Sequence, residues 1–176
     1  KEIIVVDDGS DDISGQLIRK LKKDNLSVIH HVNNLGKGAA FLTGLSRAKG
    51  EFVIIQDADL ETDPNDYLVL FETFNLGNAD MVLGARFLKG RQGLLINRLG
   101  NKFLTFIVNW FFGAKINDYA TCYKLARRST FESLKLKSSG FDIDVEIICK
   151  ALKRRLKITE APISYFPRSH KEGKKI

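Results

Sequence analysis

What is scarce in this sequence narrows it first. Two cysteines, Cys122 and Cys149, are too few for a disulfide scaffold, and neither belongs to a CxxC pair; they read as buried thiols of a reducing compartment. Three prolines and fourteen glycines exclude a collagen-like or low-complexity chain. No stretch reaches the ~18–20 consecutive apolar residues of a spanning helix, so nothing here is expected to cross a bilayer by itself. No signal-peptide pattern is visible, because Lys1-Glu2 leads straight into a strand pattern. Of the 176 residues, 44% are hydrophobic and 28% charged, which excludes wholesale disorder. The chain reads as one ordinary domain that buries roughly two-thirds of its unfolded surface.

The net charge of +7 is unevenly spread. Residues 1–88 carry 9 Lys and Arg against 14 Asp and Glu, and residues 89–176 carry 19 against 7. An acidic front half suggests a cation site, and a basic back half suggests anionic partners such as phosphates, nucleic acid or a lipid surface.

Strand and helix patterns alternate from the first residue. Ile3–Val6 is a short apolar run ending in Asp7-Asp8-Gly9-Ser10, read as a buried parallel strand and a turn. Residues 13–23 space Ile13, Leu17, Ile18 and Leu21 at helical intervals. Leu26–Val32 is a second strand, 39–48 a small-residue helix, Phe52–Gln56 a third strand, 64–74 a helix opened by Pro64, and Met81–Leu83 a fourth strand. This spacing predicts parallel βαβ units in one sheet. Its strand ends carry Asp7/Asp8, Asn33/Asn34, Asp57/Asp59 and Gly84/Arg86, at the edge where open α/β sheets bind ligands. The chain starts inside a strand pattern, so a first strand is expected to be missing.

Farther on, Leu94–Phe112 is a helix apolar over most of its wheel, with a narrow polar stripe of Arg98, Lys102, Thr105 and Asn109. Such a helix is either packed in a core or subunit contact, or dipped into a lipid interface. Tyr123–Ala126 reads as a strand, 142–155 as an amphipathic helix and Ile158–Phe166 as an extended segment, followed by a basic tail.

Asp57 and Asp59 close an apolar strand two residues apart, so both carboxylates can face one cation, and Glu61 continues the parity. A hard divalent ion such as Mg²⁺ or Mn²⁺ takes one or two carboxylates and completes its shell with phosphate oxygens; the competing reading is a solvated acidic turn. Asp7 and Asp8 suit a nucleobase edge or ribose hydroxyls, or an Asx turn and helix cap. Gly36-Lys37-Gly38 opens a helix and can offer amides to phosphate, but it is not a P-loop. Arg86, Arg98, Lys124, Arg127, Arg128, Arg168, Lys171 and Lys174 are candidate anion contacts. Asp118 is a base, a sugar-hydroxyl acceptor or an arginine's partner.

In order, VVDDGSDD (5–12), NLGKGAA with a later Gly44 (34–44), QDADLETDP (56–64), GAR (84–86), DYATCYKL (118–125), FDIDVEI (141–147) and EAPISYFPRSHKEGKKI (160–176) resemble the family-2 glycosyltransferases of GT-A fold. The likeness covers nearly the whole chain and is greatest to the polyprenyl-phosphate (dolichyl-phosphate) mannosyl- and glucosyltransferases. It implies a Rossmann-like, mostly parallel α/β sheet flanked by helices, with 1–88 as the nucleotide-sugar and metal half and 89–176 as the acceptor half. It implies Asp57, Asp59 and Glu61 as metal ligands, with Mg²⁺ or Mn²⁺ as cofactor. Asp7, Asp8, Lys37, Asp57 and Arg86 would bind the nucleotide-sugar donor. Asp118, Arg86 and Arg98 would serve catalysis, and Arg98, Arg168 and Lys174 the acceptor phosphate.

Two departures stand out: the family's opening strand with its Pro-x-x-Asn-Glu stretch is absent, and the tail reads HKEGKK rather than GESK, which tilts the donor toward glucosyl or another hexosyl. The implied reaction moves a hexose from UDP-glucose or GDP-mannose to a polyprenyl phosphate, with inversion, at the cytoplasmic face of a membrane. A lipid phosphate, with a second pKa of about 6, is ionised at neutral pH and needs no strong base. A saccharide or protein hydroxyl acceptor would need one, with Asp118 or Asp144 as first suspects. A non-catalytic basic module for nucleic acid or membrane is the reading from another class, although no nucleic-acid motif is present. An oligomer remains compatible.

Overall fold

The computed structural model describes residues 1–88 and 95–168, apart from the side chains of residues 95–97. It contains two compact units. Lys1–Val53 joins Arg127–Ile147 in the first, and Ile54–Ala126 joins Ile148–Ile176 in the second. Each unit therefore draws on both the acidic and the basic half of the sequence.

In the first unit, β1 (Ile3–Asp7) and β2 (Leu26–His30) pair in parallel, in a register that sets Asp7 beside His30. The intervening α1 (Ile13–Lys20) is capped by Asp12, whose carboxylate accepts from Ser14 N at 2.8 Å. Its expected apolar stripe is only partly covered, with Ile13 and Leu17 exposed, because two strands offer little surface to a helix. Helix α2 (Lys37–Arg47) starts from Gly36, which has φ +99°, and approaches residues 138–139 closely. A Cβ at Gly36 would lie 2.4 Å from Ser139 O and one at Gly38 2.2 Å from Ser138 O, so neither position admits a side chain.

A four-stranded sheet runs in the order β3-β5-β4-β6, from β3 (Phe52–Ile54), β4 (Met81–Ala85), β5 (Lys124–Arg127) and β6 (Ile158–Pro162). Strand β4 is buried along its length, antiparallel to β5 and parallel to β6. A 3₁₀ turn at Pro64–Asp66 leads into α3 (Tyr67–Gly77), which buries Leu70 and Phe74 and packs on β4 and β6. The remaining helices are α4 (Leu95–Phe112), α5 (Arg128–Leu134) and α6 (Ile143–Lys153).

Two sequence expectations change. The strands of the first 86 residues divide between two sheets instead of forming one parallel sheet, β1 and β2 in one and β3 and β4 in the other, where the antiparallel β5 enters between them. Hydrophobic runs locate strands but carry no record of their spatial order. Helix α5, missing from the sequence reading, is seven residues long and is anchored by Phe131 and Leu134 alone. No described helix is long and apolar enough to cross a membrane.

Candidate functional site

The end of β1 in the first unit is an acid–histidine cluster. Asp7 Oδ1 accepts from Ser10 N at 3.0 Å and from Ser10 Oγ at 2.5 Å, while Oδ2 accepts from His30 Nδ1 at 2.9 Å. The Ser10 hydroxyl, then His30 and the Ser10 amide, stabilise the ionised form and hold the Asp7 carboxyl down at about 2. Asp8 receives Leu35 N at 3.0 Å, Gly36 N at 2.7 Å and His31 Nδ1 at 2.6 Å. Burial works against its charge, but these donors outweigh burial and keep its pKa below the ordinary value. Asp8 thus folds the 33–36 loop, whereas Asp7 lines an open cavity of about 610 Å³ together with Ser10, Arg19, His30, His31 and Asn33. At the start of α2, Lys37 Nζ lies 2.9 Å from Asp144 Oδ2.

In the second unit the acidic turn after β3 is held from several sides. Asp57 N donates to Cys122 Sγ at 2.9 Å. Gln56 Nε2 donates to Thr62 Oγ1 at 3.1 Å, and its Oε1 accepts from the hydroxyls of Tyr67 at 2.8 Å and Tyr123 at 2.5 Å. Asp59 Oδ1 accepts from Glu61 N at 3.0 Å. Between Asp59 and Glu61, Leu60 adopts a left-handed φ of +62°, which breaks the extended parity on which Glu61 was grouped with the other two acids. Glu61 is buried instead, accepting from Tyr165 Oη at 3.1 Å and from Arg168 N at 3.0 Å. The expectation of three gathered ligands is corrected accordingly: among the described residues no group of three or more His, Cys, Asp or Glu is arranged to hold a metal ion.

The remaining pair suits a hard divalent cation. Asp57 and Asp59 are half-buried carboxylates, and one or two of these are what such an ion takes from protein when phosphate fills the rest of its shell. The corner already attracts positive charge, since the Arg168 guanidinium stands 3.7 Å from Asp59 Oδ2 and 3.8 Å from Glu61 Oε1.

Asp118 is fully buried and receives Arg86 N at 3.2 Å, Arg86 Nε and Nη2 at 2.8 Å each, and Asn101 Nδ2 at 3.1 Å. Of the three roles open to it, it plays arginine's partner. Burial disfavours the Arg86 charge, but the Asp118 bonds and charge outweigh burial and raise the Arg86 pKa. Arg86 also lies against the rings of Phe87 and Tyr165. Arg98 sits 5.8 Å from the Phe87 ring, and its Nε is buried with no hydrogen-bond partner among the described residues.

Three further candidates are drawn off locally: Lys124 is fully buried and donates to Thr121 O, Arg127 pairs with Glu51, and Arg128 pairs with Glu132. Lys171 and Lys174 lie outside the described residues. Sequence reasoning did not single out His30, His31, Gln56 or Tyr165. The histidines had a signal, standing at the end of an apolar strand run.

The glycosyl transferase family 2 model matches residues 1–135. The chain belongs to this family. Among curated relatives of this family 2 chain, the low-salt glycan biosynthesis hexosyltransferase Agl6 of Haloferax volcanii is 29% identical over 171 residues, covering 95% of this chain and 40% of that protein. The polyprenol monophosphomannose synthase of Mycolicibacterium smegmatis is 28% identical over 182 residues, covering 94% and 67%. The chain thus spans well under the whole length of these relatives. Glucosyl-3-phosphoglycerate synthase from Mycobacterium tuberculosis, crystallised with Mn²⁺ and uridine-diphosphate-glucose, superposes with a TM-score of 0.70 at 19% identity, covering 98% of this chain and 62% of that one. The fold is accordingly the GT-A fold.

Proposed function

We propose that this family 2 chain is the catalytic part of an inverting hexosyltransferase that moves a sugar from a nucleotide-diphosphate donor to a polyprenyl phosphate at a membrane surface. The observation that carries this reading is the Asp57/Asp59 pair on a turn braced by Gln56, Cys122 and Tyr165, with an arginine already beside it.

Asp57 and Asp59 would hold Mg²⁺ or Mn²⁺ against the donor diphosphate, where the ion neutralises charge as the leaving group departs. Asp7, with His30 at its flank, would meet the nucleoside in the cavity at the end of β1, while Asp8 shapes the adjoining loop. Lys37 would serve donor binding. Arg168 would exchange Asp59 for phosphate, and Arg98, whose Nε has no hydrogen-bond partner among the described residues, would meet an acceptor anion. Arg86 acts from behind, fixed by Asp118.

A phosphate acceptor is favoured over a hydroxyl because both acids considered as general bases are engaged and buried, Asp118 by Arg86 and Asn101 and Asp144 by Lys37. An ionised phosphate attacks without one. The relative named polyprenol monophosphomannose synthase supports the same acceptor class. Contact with a membrane surface follows from the lipid acceptor, and its cytoplasmic face is part of this proposal.

Asp59→Ala should abolish Mn²⁺-dependent binding of UDP-glucose or GDP-mannose in calorimetric titration, with the circular dichroism spectrum preserved. Undiminished affinity would remove the metal assignment. Label transferred from the donor should pass into an organic-extractable lipid; label confined to the aqueous phase would remove the acceptor assignment.

A further inference from the structure

Helix α4 is turned inside out relative to an ordinary surface helix. Among its described side chains, the buried ones are Asn101, Thr105 and Val108. At roughly 100° per residue, Leu99, Phe103, Phe106 and Trp110 fall within about 60° of one another on the opposite side, over about 16 Å of helix. All four are exposed, Phe103 and Phe106 at 64% and Trp110 at 71%. Phe111 widens the stripe, also 71% exposed and edge-on to Trp110. Aromatic exposure on this scale on a single helix marks an interaction surface.

The charge around the stripe decides the occupant. Between Arg86 and Asp118 the sequence has five Lys or Arg and no Asp or Glu. Lys102 flanks the aromatic stripe on the wheel and Lys115 follows the helix; both are exposed. A second copy of the same face would set these cations against their own kind. An anionic bilayer would draw them to its headgroups while the rings enter the acyl boundary, the arrangement of an interfacial amphipathic helix.

We propose that the Leu99–Phe111 face of α4 docks in the plane of an anionic lipid bilayer. The proposal deepens the functional reading above and rests on it, since the acceptor is a lipid phosphate resident in such a surface. Trp110 is the only tryptophan of the chain and reports directly on the contact.

The test mixes the 176-residue chain with vesicles of phosphatidylcholine alone or with phosphatidylglycerol added. Trp110 emission should shift to the blue and the chain should sediment with the anionic vesicles only. Phe103→Ser/Phe106→Ser should cut the bound fraction by about tenfold or more without moving the melting midpoint, because both rings are exposed. Lys102→Glu/Lys115→Glu should weaken binding to anionic vesicles. Emission unmoved by vesicles would overturn the proposal. So would a blue shift that follows protein concentration without lipid, with dimers in sedimentation equilibrium. Transfer to a short, water-soluble polyprenyl phosphate is measured separately. Transfer without vesicle binding removes the docking face and leaves the enzyme reading; vesicle binding without transfer does the reverse.

Discussion

Asp118 shows how a single side chain sets the chemistry open to its neighbours. Its carboxylate is closed off by two bonds from the Arg86 guanidinium, one from the Arg86 amide and one from Asn101. Removing the Arg86 guanidinium would leave this charge in the interior without a counter-charge, held only by the residue-86 amide and Asn101, a change that costs about 3–5 kcal/mol. Arg86→Ala should lower the unfolding free energy in urea by about that amount, whereas Arg86→Met/Asp118→Leu should restore much of it. Asp7 gives a pH signature. Its pKa is lowered by folding, from 3.8 to about 2, so the stability it confers is complete above the unfolded value and is lost as pH falls through about 2. The stability gap between the wild-type chain and Asp7→Asn should therefore be full at pH 5 and close as pH approaches 2, read by denaturant titration across that range.

At the scale of elements, α2 provides a contrast between two glycines. A methyl at Gly38 would strike the Ser138 carbonyl oxygen at 2.2 Å, whereas one at Gly44 would meet Val6 Cγ2 at an ordinary 3.5 Å. Gly38→Ala should destabilise by about 1–3 kcal/mol, while Gly44→Ala should be neutral or stabilise by up to about 1 kcal/mol through helix propensity, both read from melting curves. Most elements were legible beforehand, because β1 to β4 lie in mostly apolar runs, α1 has helical spacing of its apolar residues, α3 is announced by Pro64 and α4 is apolar over most of its wheel. The direction of β5 was not, since strand pairing is a property of two distant segments. The site was legible to the same degree. Asp57 and Asp59 could be placed by the strand they terminate, but Glu61 could not, because the left-handed turn at Leu60 leaves no mark in a pattern of residue types. The pairing of Asp7 with His30 depends on the β1–β2 register, which sequence spacing does not specify.

At the scale of the whole molecule, the acidic turn is held by the protein's own hydrogen bonds, to Cys122 as acceptor and from Tyr165 as donor. Chelation of divalent ions should therefore leave the melting midpoint of the donor-free chain unchanged. Donor and Mn²⁺ together should raise stability by about 2.7 kcal/mol when ligand is at a hundredfold excess over Kd, measured by thermal shift.

The bond from Tyr165 to Glu61 spans 104 residues of chain. Closures of that length form late, because the entropy of the intervening loop is surrendered before the contact can repay it. The segment bearing Tyr165 directly follows β6, which pairs alongside β4. A refolding chain therefore regains its helical signal first and its acidic corner last, and during synthesis that corner waits until Arg168 has left the ribosome.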